Sequence, residues 1–452
     1  MTDIASMKNL ASVAEVLSAR SPIANFGFTG VSTDSRAINP GDLFVALRGP
    51  NFNGNKYVAD VAKAGAVGAI VDEKVVSSIP MIEVKDARLA LGQLAAAQRQ
   101  RFPKPVVGLT GSNGKTTVKE LLNAMLSAEG KVLSTKGNLN NDIGVPLTLL
   151  RLVDEDDFAV IEMGANHVGE IAYLTNIVKP DIAIVINAGE AHLEGFGSLE
   201  NIASAKGEIF QGLNSTGTAI INADDSFCAV WKDLASSRTQ ITFGIDNVKA
   251  MVRASNIIDD GELSQFVLHS GQKEVAISWS LRGKHNVYNA LAAAAAARAL
   301  NISLGNIAEA LSNFTSVKGR LDVLKAINGA RLIDDSYNAN PTSTRAAIDV
   351  LASYTGKKIL VLGDMKEIGD SVSEAHKGVG RYAKEKNIDA LYATGEHGSA
   401  TVEGFGLLGQ YFETKEELLQ ALSEIMSSDV TVLVKGSRGS TMETIVQGLK
   451  SQ

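Results

Sequence analysis

The segment best suited to chemistry is a glycine-rich loop between a short apolar run and an amphipathic stretch. It reads TGSNGKTT, residues 110–117. The glycines permit the tight backbone geometry in which successive N–H groups face phosphate oxygens. A lysine supplies a point charge, and the threonine after it offers a hydroxyl to Mg²⁺. The sequence therefore predicts a nucleoside triphosphate site at Gly111, Ser112, Asn113, Gly114, Lys115, Thr116 and Thr117.

This loop departs from the usual phosphate-loop pattern, G-x-x-x-x-G-K-[ST], at one position. Leu109 occupies the first glycine position, and Gly108 lies one residue too early. Apolar residues at helical spacing follow the loop, so it opens a helix whose N-terminus favours anions. An ordinary strand–turn–helix corner is the alternative interpretation. The sequence contains no Asn-Lys-x-Asp guanine-binding motif, which argues against a GTPase.

Two further side chains could complete a metal site near the loop. Glu162 lies at the end of the apolar run FAVIE, and His192 follows the next run along the chain. Because ligands of open α/β sheets bind beyond the carboxyl ends of strands, both are candidate Mg²⁺ ligands. A solvated loop residue is the alternative for each, and His167 is a weaker candidate. Lys206 lies in a predicted helix, where most lysines are solvated.

Composition indicates a chain of two or three ordinary domains. The 452 residues are 45% apolar and 21% charged, a balance typical of water-soluble proteins. A net charge of −7 argues against nucleic acid as a partner. The single cysteine, Cys228, rules out a disulfide within this sequence and suits a reducing compartment, so we expect a cytoplasmic location. We also expect no signal peptide and no membrane span, since no apolar run approaches about 18 residues.

The pattern of predicted elements places these residues in α/β domains. Residues 1–103 predict a small α/β unit with strands in DLFVAL and AVGAIV and a helix capped by Asp86. Residues 104–315 alternate buried strands and helices, with an antiparallel patch at about 239–280 and then a buried, alanine-rich helix. Residues 316–452 hold four short apolar strands, in ARLIDDS, KKILVLGD, DALYATG and VTVLVKGS. Because these strands alternate with segments predicted to be helical, we expect a doubly wound unit.

Several longer motifs together resemble the Mur ligase family. They are TGSNGKTT, GNLNNDIGVPLTLL, IEMGANHVGEI, AHLEGFGSLENIASAKGEIF, GKHNVYNALAAAAAA and DDSYNANPTS, and the resemblance extends from STDSRAINPGDLFVALRG to LVKGSRGSTMETIV. It implies three domains: an N-terminal UDP-binding domain, a central ATPase and a C-terminal Rossmann-like domain. It also implies that ATP phosphorylates the terminal carboxylate of a UDP-N-acetylmuramoyl tripeptide. The amine of D-alanyl-D-alanine then attacks the acyl phosphate to form an amide.

The resemblance implies a catalytic role for Lys115 and a site for two Mg²⁺ ions. Thr116 and Glu162 would hold the ion bound to the nucleotide, and His192 would hold the second. Lys206 matches a lysine that is carbamylated in the family. Carbon dioxide on that amine would turn the cation into a carboxylate-like ligand, so Lys206 becomes a candidate catalytic and metal-site residue.

The resemblance also implies contacts to the nucleotide from two domains. Asn286 and Asn289, which lie one helical turn apart, would lie near adenine. Arg320 and Asp335 belong to the last domain, and would approach phosphate and ribose when that domain closes.

Polar side chains in three loops are the candidate substrate contacts. They are Thr33, Asp34, Ser35 and Arg36 for UDP, Asn138, Asn140 and Asn141 for the muramoyl peptide, and Arg438 for the carboxylate of the second substrate. A capped turn is the alternative interpretation for the UDP group, and a simple strand–helix turn is the alternative for the segment that holds Arg438.

Other activities remain open at this point. The absence of an Asp-Asn-Pro-Arg motif favours a dipeptide-adding ligase over the relative that adds diaminopimelate. The alternatives are another muramoyl or folylpolyglutamate-type ligase and a phosphate-loop switch with no product beyond ADP. The third residue of the tripeptide, diaminopimelate or lysine, is not predicted, and we expect a monomer.

Overall fold

The structure, a computed structural model, describes residues 9–20, 25–259 and 264–451. Within these ranges the chain forms three successive α/β units, each built on its own mainly parallel sheet. Parallel strands covered by helices on both faces require continuous apolar sequence, and all three sheets contain such strands. The predicted three-domain α/β fold is therefore confirmed, while the boundaries at 103/104 and 315/316 stay predictions.

The N-terminal unit has a four-stranded parallel sheet. Its helices are α1 (Leu10–Val16), α2 (Val58–Lys63) and α3 (Ala87–Arg101), and its strands are β1 (Gly30–Ser32), β2 (Asp42–Val45), β3 (Arg48–Gly49), β4 (Phe52–Asn53), β5 (Gly68–Val71) and β6 (Met81–Glu83). The sheet order is β1-β2-β5-β6, and β3 and β4 form a separate hairpin. Asp86 caps α3 as predicted, because its Oδ1 accepts the N–H groups of Arg88 and Leu89 at 2.8 and 2.9 Å.

The central unit has the largest sheet. Its helices are α4 (Lys115–Ser127), α5 (Gly144–Leu149), α6 (Glu170–Val178), α7 (Leu193–Phe196), α8 (Leu199–Gly207), α9 (Cys228–Leu234), α10 (Lys284–Ala299) and α11 (Leu304–Ser312). Its strands are β7 (Val106–Thr110), β8 (Val132–Ser134), β9 (Phe158–Glu162), β10 (Ile182–Val185), β11 (Thr218–Asn222), β12 (Thr239–Gly244), β13 (Val252–Asp259), β14 (Ser264–Ser270) and β15 (Lys273–Trp279). The sheet order is β15-β14-β13-β12-β11-β10-β7-β9-β8. The predicted alanine-rich helix is α10, which packs against α4 with Ala290–Ala297 buried.

The predicted antiparallel patch begins later than expected. β12 pairs in parallel with β11, so the prediction is wrong for that strand. Antiparallel pairing joins β13 to β14 and β14 to β15. The first four residues of β12 are exposed or half-buried. The polar residues of β12 reflect its partial exposure to solvent. Partial exposure does not indicate whether a strand pairs in parallel or antiparallel.

The C-terminal unit is a six-stranded sheet with helices. The helices are α12 (Pro341–Ala352), α13 (Val372–Glu385), α14 (Gly398–Phe405), α15 (Lys415–Ile425) and α16 (Glu443–Leu449), and the strands are β16 (Asp322–Lys325), β17 (Arg331–Asp335), β18 (Lys357–Leu362), β19 (Ala390–Thr394), β20 (Gly409–Phe412) and β21 (Val430–Lys435). The sheet order is β16-β17-β21-β18-β19-β20, and only the β16–β17 pair in it is antiparallel. The four predicted strands are present. Two edge strands, β16 and β20, escaped prediction because they are short and half-exposed.

Strand order brings the chemistry-bearing loops together. β7, which leads into the phosphate loop, lies between β9 and β10, so the residues after all three strands share one edge of the sheet. In the C-terminal sheet, Lys435 at the end of β21 aligns with Asp335 on one side and Leu362 on the other. Across residues 9–20, 25–259 and 264–451, no helix has the length and apolar character to cross a membrane.

Candidate active site

The phosphate loop joins β7 to α4 by a left-handed turn at Gly114. Its φ is +83°, and a Cβ at this position would clash with the Asn289 side chain, so only glycine fits. The loop is tied to the segment after β10. Ser112 N–H donates to the Asn187 carbonyl at 3.1 Å, and Asn113 N–H donates to Asn187 Oδ1 at 2.9 Å. These two hydrogen bonds fix the loop against the residues that follow β10.

Lys115 is held inside the loop. Its Nζ donates to the carbonyl oxygens of Gly111 at 2.7 Å and Ser112 at 3.3 Å. Burial lowers the pKa of this ammonium, and the nearby Glu162 carboxylate opposes that shift. An anionic phosphate would stabilise the charged form in the same way.

Glu162 ends β9 beside the loop and is 2% exposed. Its Oε1 accepts a hydrogen bond from the Asn140 side-chain amide at 2.7 Å, whereas Oε2 is buried and has no hydrogen-bond partner among the described residues. An unsatisfied buried carboxylate oxygen is costly unless a cation or donor reaches it. The predicted pairing of Glu162 with the hydroxyl of Thr116 around one hard cation fits this arrangement.

His192 begins α7 and borders a small cavity of about 60 Å³ that Lys115 and Thr116 also line. Its Nδ1 lies 2.6 Å from Oε2 of Glu367, a residue of the C-terminal unit, although no aligned hydrogen bond joins the two atoms. The close approach of the His192 imidazole lowers the pKa of Glu367, and burial opposes that shift. His167, the weaker candidate, is exposed and pairs with Glu170 at 3.1 Å.

Lys206 lies on α8 and is only 2% exposed, so the solvated alternative is wrong. Its Nζ lies 3.5 Å from the Ala165 carbonyl and 5.2 Å from the centre of the Phe196 ring. Burial, with repulsion from Lys115 as a smaller cause, lowers the pKa of Lys206 to about 7. A large part of its amine is therefore neutral near neutral pH.

The predicted adenine contacts lie on the first turns of α10. Asn286 and Asn289 are buried and hydrogen-bonded to each other at 3.1 Å, and Asn286 also donates to the Arg282 carbonyl at 2.9 Å. Both line a cavity of about 330 Å³ that begins at the phosphate loop. Polar side chains from Asn222, Asp224 and Asp225 border its far side.

The C-terminal unit closes the same cavity. Arg320 and Asp335 line it, together with Lys435, whose Nζ donates to the Asp335 carboxylate, while their roles at phosphate and ribose stay predictions. A direct contact crosses the boundary, because Asn340 Nδ2 donates to Asn113 Oδ1 at 2.8 Å. Lys435 was not among the predicted site residues. A lysine that ends the buried apolar run VTVLV is the signal that could have found it.

The predicted substrate residues make local contacts in this structure. In the turn that holds Thr33 and Ser35, Arg36 is exposed and pairs with Asp34 at 2.7 Å. Asn141 Oδ1 accepts the N–H of Gly144 at 2.9 Å and so helps to begin α5.

Asn138 is exposed and lies three residues before Asn141 in the sequence. Arg438 is also exposed and pairs with Glu443 at 2.9 Å. The structure brings neither residue to the phosphate loop, and the substrate roles of both groups stay predictions.

Together these groups form a polar site that holds the candidate phosphate-binding and metal-binding side chains and is covered by the C-terminal unit. Such a site suits phosphoryl transfer to an acceptor held between the domains. Among the described residues, no three His, Cys, Asp or Glu side chains cluster as a metal site. The candidate ligands include a hydroxyl and a lysine, so a cluster of those residue types alone would not reveal the site.

Family models match the chain along most of its length. The model for the Mur ligase family catalytic domain matches residues 27–99, the Mur ligase middle domain matches 109–297, and the Mur ligase glutamate ligase domain matches 319–438. A UDP-N-acetylmuramoyl-tripeptide–D-alanyl-D-alanine ligase from Escherichia coli is 43% identical over 444 residues, which cover 98% of each chain.

The chain belongs to the Mur ligase family.

Other relatives of this Mur ligase span the same length. The enzyme of that name from Bacillus subtilis is 36% identical over 455 residues, 98% of each chain. A MurF crystal structure from Acinetobacter baumannii superposes with a TM-score of 0.91 at 38% identity, covering 97% of both chains. MurF ligase from Thermotoga maritima in complex with ADP has a TM-score of 0.84 at 28% identity and covers 93% of this chain and 96% of its own.

Proposed function

We propose that this Mur ligase joins D-alanyl-D-alanine to a UDP-N-acetylmuramoyl tripeptide with hydrolysis of ATP, a step of peptidoglycan synthesis. The observation that carries the proposal is the triphosphate site at the junction of the central and C-terminal units, in a chain similar along its whole length to ligases of that name. A cytoplasmic location and a monomeric state stay predictions.

The chain's own residues account for the binding of ATP. Backbone N–H groups at the N-terminus of α4 would face the phosphates, and Lys115 would exchange its two loop carbonyls for phosphate oxygens. Asn286 and Asn289 would present amides to the base, and Asp335, which lines the same cavity from the C-terminal unit, would contact the ribose. Arg320 faces the phosphates from the C-terminal unit.

Mg²⁺ fits the residues that surround the phosphates. Glu162 offers a buried oxygen without a partner, Thr116 a hydroxyl and His192 an imidazole nitrogen. When bound, Mg²⁺ would neutralise charge that develops on the transferred phosphoryl group. We assign Thr116 and Glu162 to the ion of the nucleotide, and His192 to a second ion with Lys206.

Lys206 would act as a carbamate. An ammonium cannot bind a cation, but the buried, partly neutral amine of Lys206 can add carbon dioxide and become an anionic oxygen ligand. The burial that makes the ammonium unfavourable also keeps the adduct away from bulk water.

Phosphorylation turns the tripeptide carboxylate into an acyl phosphate, which the amine of the dipeptide attacks. The tetrahedral intermediate releases phosphate, so one amide, one ADP and one phosphate form for each ATP. Closure of the C-terminal unit would hold the acceptor, with Arg438 as the cation for its carboxylate. Exclusion of water by the closed domains would protect the acyl phosphate from hydrolysis.

Phosphate release with a panel of acceptors tests the proposal. The purified chain is incubated with ATP, Mg²⁺ and the UDP-linked tripeptide, with diaminopimelate or lysine as third residue, and with single amino acids or D,D-dipeptides. We expect phosphate release and a new amide, detected by mass spectrometry, only with D-alanyl-D-alanine or a similar dipeptide. An amide with a single amino acid would favour another ligase of the family, and ADP without any amide would favour a regulatory ATPase.

A further inference from the structure

The contact between Glu367 and His192 crosses the boundary between the central and C-terminal units. Glu367 follows β18, and His192 follows β10. Their side chains are 54% and 25% exposed, and Oε2 and Nδ1 are 2.6 Å apart. None of the motifs that carried the family resemblance included Glu367.

Both residues adopt a backbone conformation that side chains disfavour. The φ angles are +57° for His192 and +63° for Glu367, in the left-handed region where glycine is usual. Such conformations persist where the surrounding structure determines them, and they concentrate at functional sites. Two of them meet in this pair, one from each unit.

The loop that carries Glu367 is braced by the C-terminal unit. The buried imidazole of His376 accepts the N–H of Met365 at 3.0 Å through Nε2, and its Nδ1 lies 2.8 Å from the Val372 carbonyl. Lys366 N–H donates to Ser437 Oγ at 2.8 Å. These two hydrogen bonds hold the backbone of the two residues just before Glu367.

A carboxylate next to one imidazole nitrogen determines what the other nitrogen can do. It favours the tautomer with the proton on Nδ1, which leaves the lone pair of Nε2 for a metal. Histidine ligands of metals commonly donate their second N–H to such a carboxylate, and loss of it typically costs about 10–100-fold in metal affinity or activity.

We propose that Glu367 is a positioning residue for His192. With the second ion bound, its carboxylate would accept the proton of Nδ1, which lies 2.6 Å away here without an aligned hydrogen bond, and would leave Nε2 for the ion. This inference rests on the proposed function, in which His192 binds that ion. Because Glu367 comes from the C-terminal unit, domain closure and completion of the metal site become one event. The second ion then binds tightly only after the acceptor domain has closed.

The tautomer of His192 is the direct test. Protein labelled with ¹⁵N-histidine carries only six imidazoles, and His192→Gln identifies the signal of interest. With a non-hydrolysable ATP analogue, UDP-linked tripeptide and Mg²⁺, long-range ¹H–¹⁵N spectra should show the Nδ1-protonated form in the parent. Glu367→Gln should shift His192 toward the other tautomer. Mn²⁺ titration followed by electron paramagnetic resonance should show about 10–100-fold weaker binding at one of the two sites in this variant.

A second carboxylate–imidazole pair provides the control. Glu274 lies on β15 and His269 on β14, outside the candidate site, and Glu274 Oε2 is 3.2 Å from His269 Nδ1. Glu274→Gln should leave the His192 spectrum and Mn²⁺ binding unchanged. Turnover in Glu367→Gln should be slow and should recover partly at high Mg²⁺.

A His192 spectrum and Mn²⁺ affinity in Glu367→Gln that match those of the parent would overturn the role of Glu367. The proposed function is tested separately by amide formation in the parent. A parent that makes the amide while Glu367→Gln changes nothing would leave the function intact and refute only this inference. A parent that makes no amide would instead contradict the function.

Discussion

Two lysines near the phosphate loop show how position determines the chemistry of one side-chain type. Lys115 keeps two carbonyl oxygens within hydrogen-bonding distance, so its ammonium is solvated by the protein. Lys206 is buried beside the Phe196 ring and has one carbonyl at 3.5 Å, and this burial favours the neutral amine. The first is suited to stabilise phosphate, and the second to react with carbon dioxide.

Lys115→Ala should lower turnover by about 10²–10³-fold or more while the fold stays intact, because one preorganised charge on the transferred phosphoryl group is lost. Steady-state phosphate release measures the effect, and circular dichroism checks the fold. Lys131→Ala removes an exposed lysine just beyond the other end of α4 and should be near normal. A folded Lys115→Ala variant with normal kcat would remove this lysine from the mechanism.

Lys206→Ala should lose most activity, and acetate or formate should restore part of it by occupying the space of the carbamate. Lys206→Arg keeps a positive charge but cannot form the same adduct, so it should stay inactive. In protein equilibrated with ¹³C-bicarbonate, the parent should show a carbamate carbon signal that is missing from Lys206→Arg. Full activity of the arginine variant, or no carbamate signal in the parent, would refute the modification.

At the scale of elements, the segment between β18 and α13 depends on one buried imidazole. His376 is fully buried, accepts one backbone N–H and lies within hydrogen-bonding distance of a carbonyl. Only the neutral ring with its proton on Nδ1 satisfies both partners. Burial lowers the pKa of His376, the nearby His397 adds to the shift, and Asp364 opposes it.

This shift predicts a loss of stability in acid. The folded pKa lies below the unfolded value of about 6.5, so the unfolded chain binds more protons between the two. The contribution of His376 to the free energy of unfolding is complete above a pH of about 6.5. It falls by at most about 1.4 kcal/mol per pH unit as the pH drops toward the folded pKa. Melting temperatures at pH 7.5 and 5.5 measure it. His376→Gln should be less stable at pH 7.5 but should lose less on acidification; an equal loss in both proteins would exclude His376 as the cause.

At the scale of the whole molecule, the nucleotide site is shared between two units. The cavity of about 330 Å³ has walls from both, and Asn340 reaches the phosphate loop across it. Left-handed residues at Gly319 and Leu321 lie in the connecting segment, where a change in backbone angles could rotate the C-terminal unit. In the arrangement described here, which we call closed, both units line the nucleotide cavity, as the proposed mechanism requires.

Ligands should favour this closed arrangement. Small-angle scattering from the chain with an ATP analogue and the UDP-linked tripeptide should fit the present structure better than scattering from the free chain, and the radius of gyration should fall on binding. A variant with the phosphate lysine removed, Lys115→Ala, should close less at the same ligand concentration. Identical profiles at saturation would contradict closure.

Features determined by short segments could be predicted from the sequence. The strand, glycine loop and helix of residues 106–127 follow from local backbone freedom and apolar spacing, and so does the cap at Asp86. The apolar runs likewise predicted the parallel strands and the three units. The direction of β12 could not be predicted in this way. The alternation of apolar and polar residues indicates which faces of a strand are buried, and it does not indicate how the strand pairs.

Only the tertiary structure decided which distant residues meet and which are buried. The family resemblance singled out Lys206, but its local sequence alone is that of an ordinary helical lysine; burial beside Phe196 removes it from water and lowers its pKa. Strand order aligns Lys435 with Asp335, and the approach of two units brings Glu367 to His192. The physical reason is range. Backbone preferences act over a few residues, so a short segment is enough to predict them. Burial and charge pairing depend on segments that are far apart in the sequence.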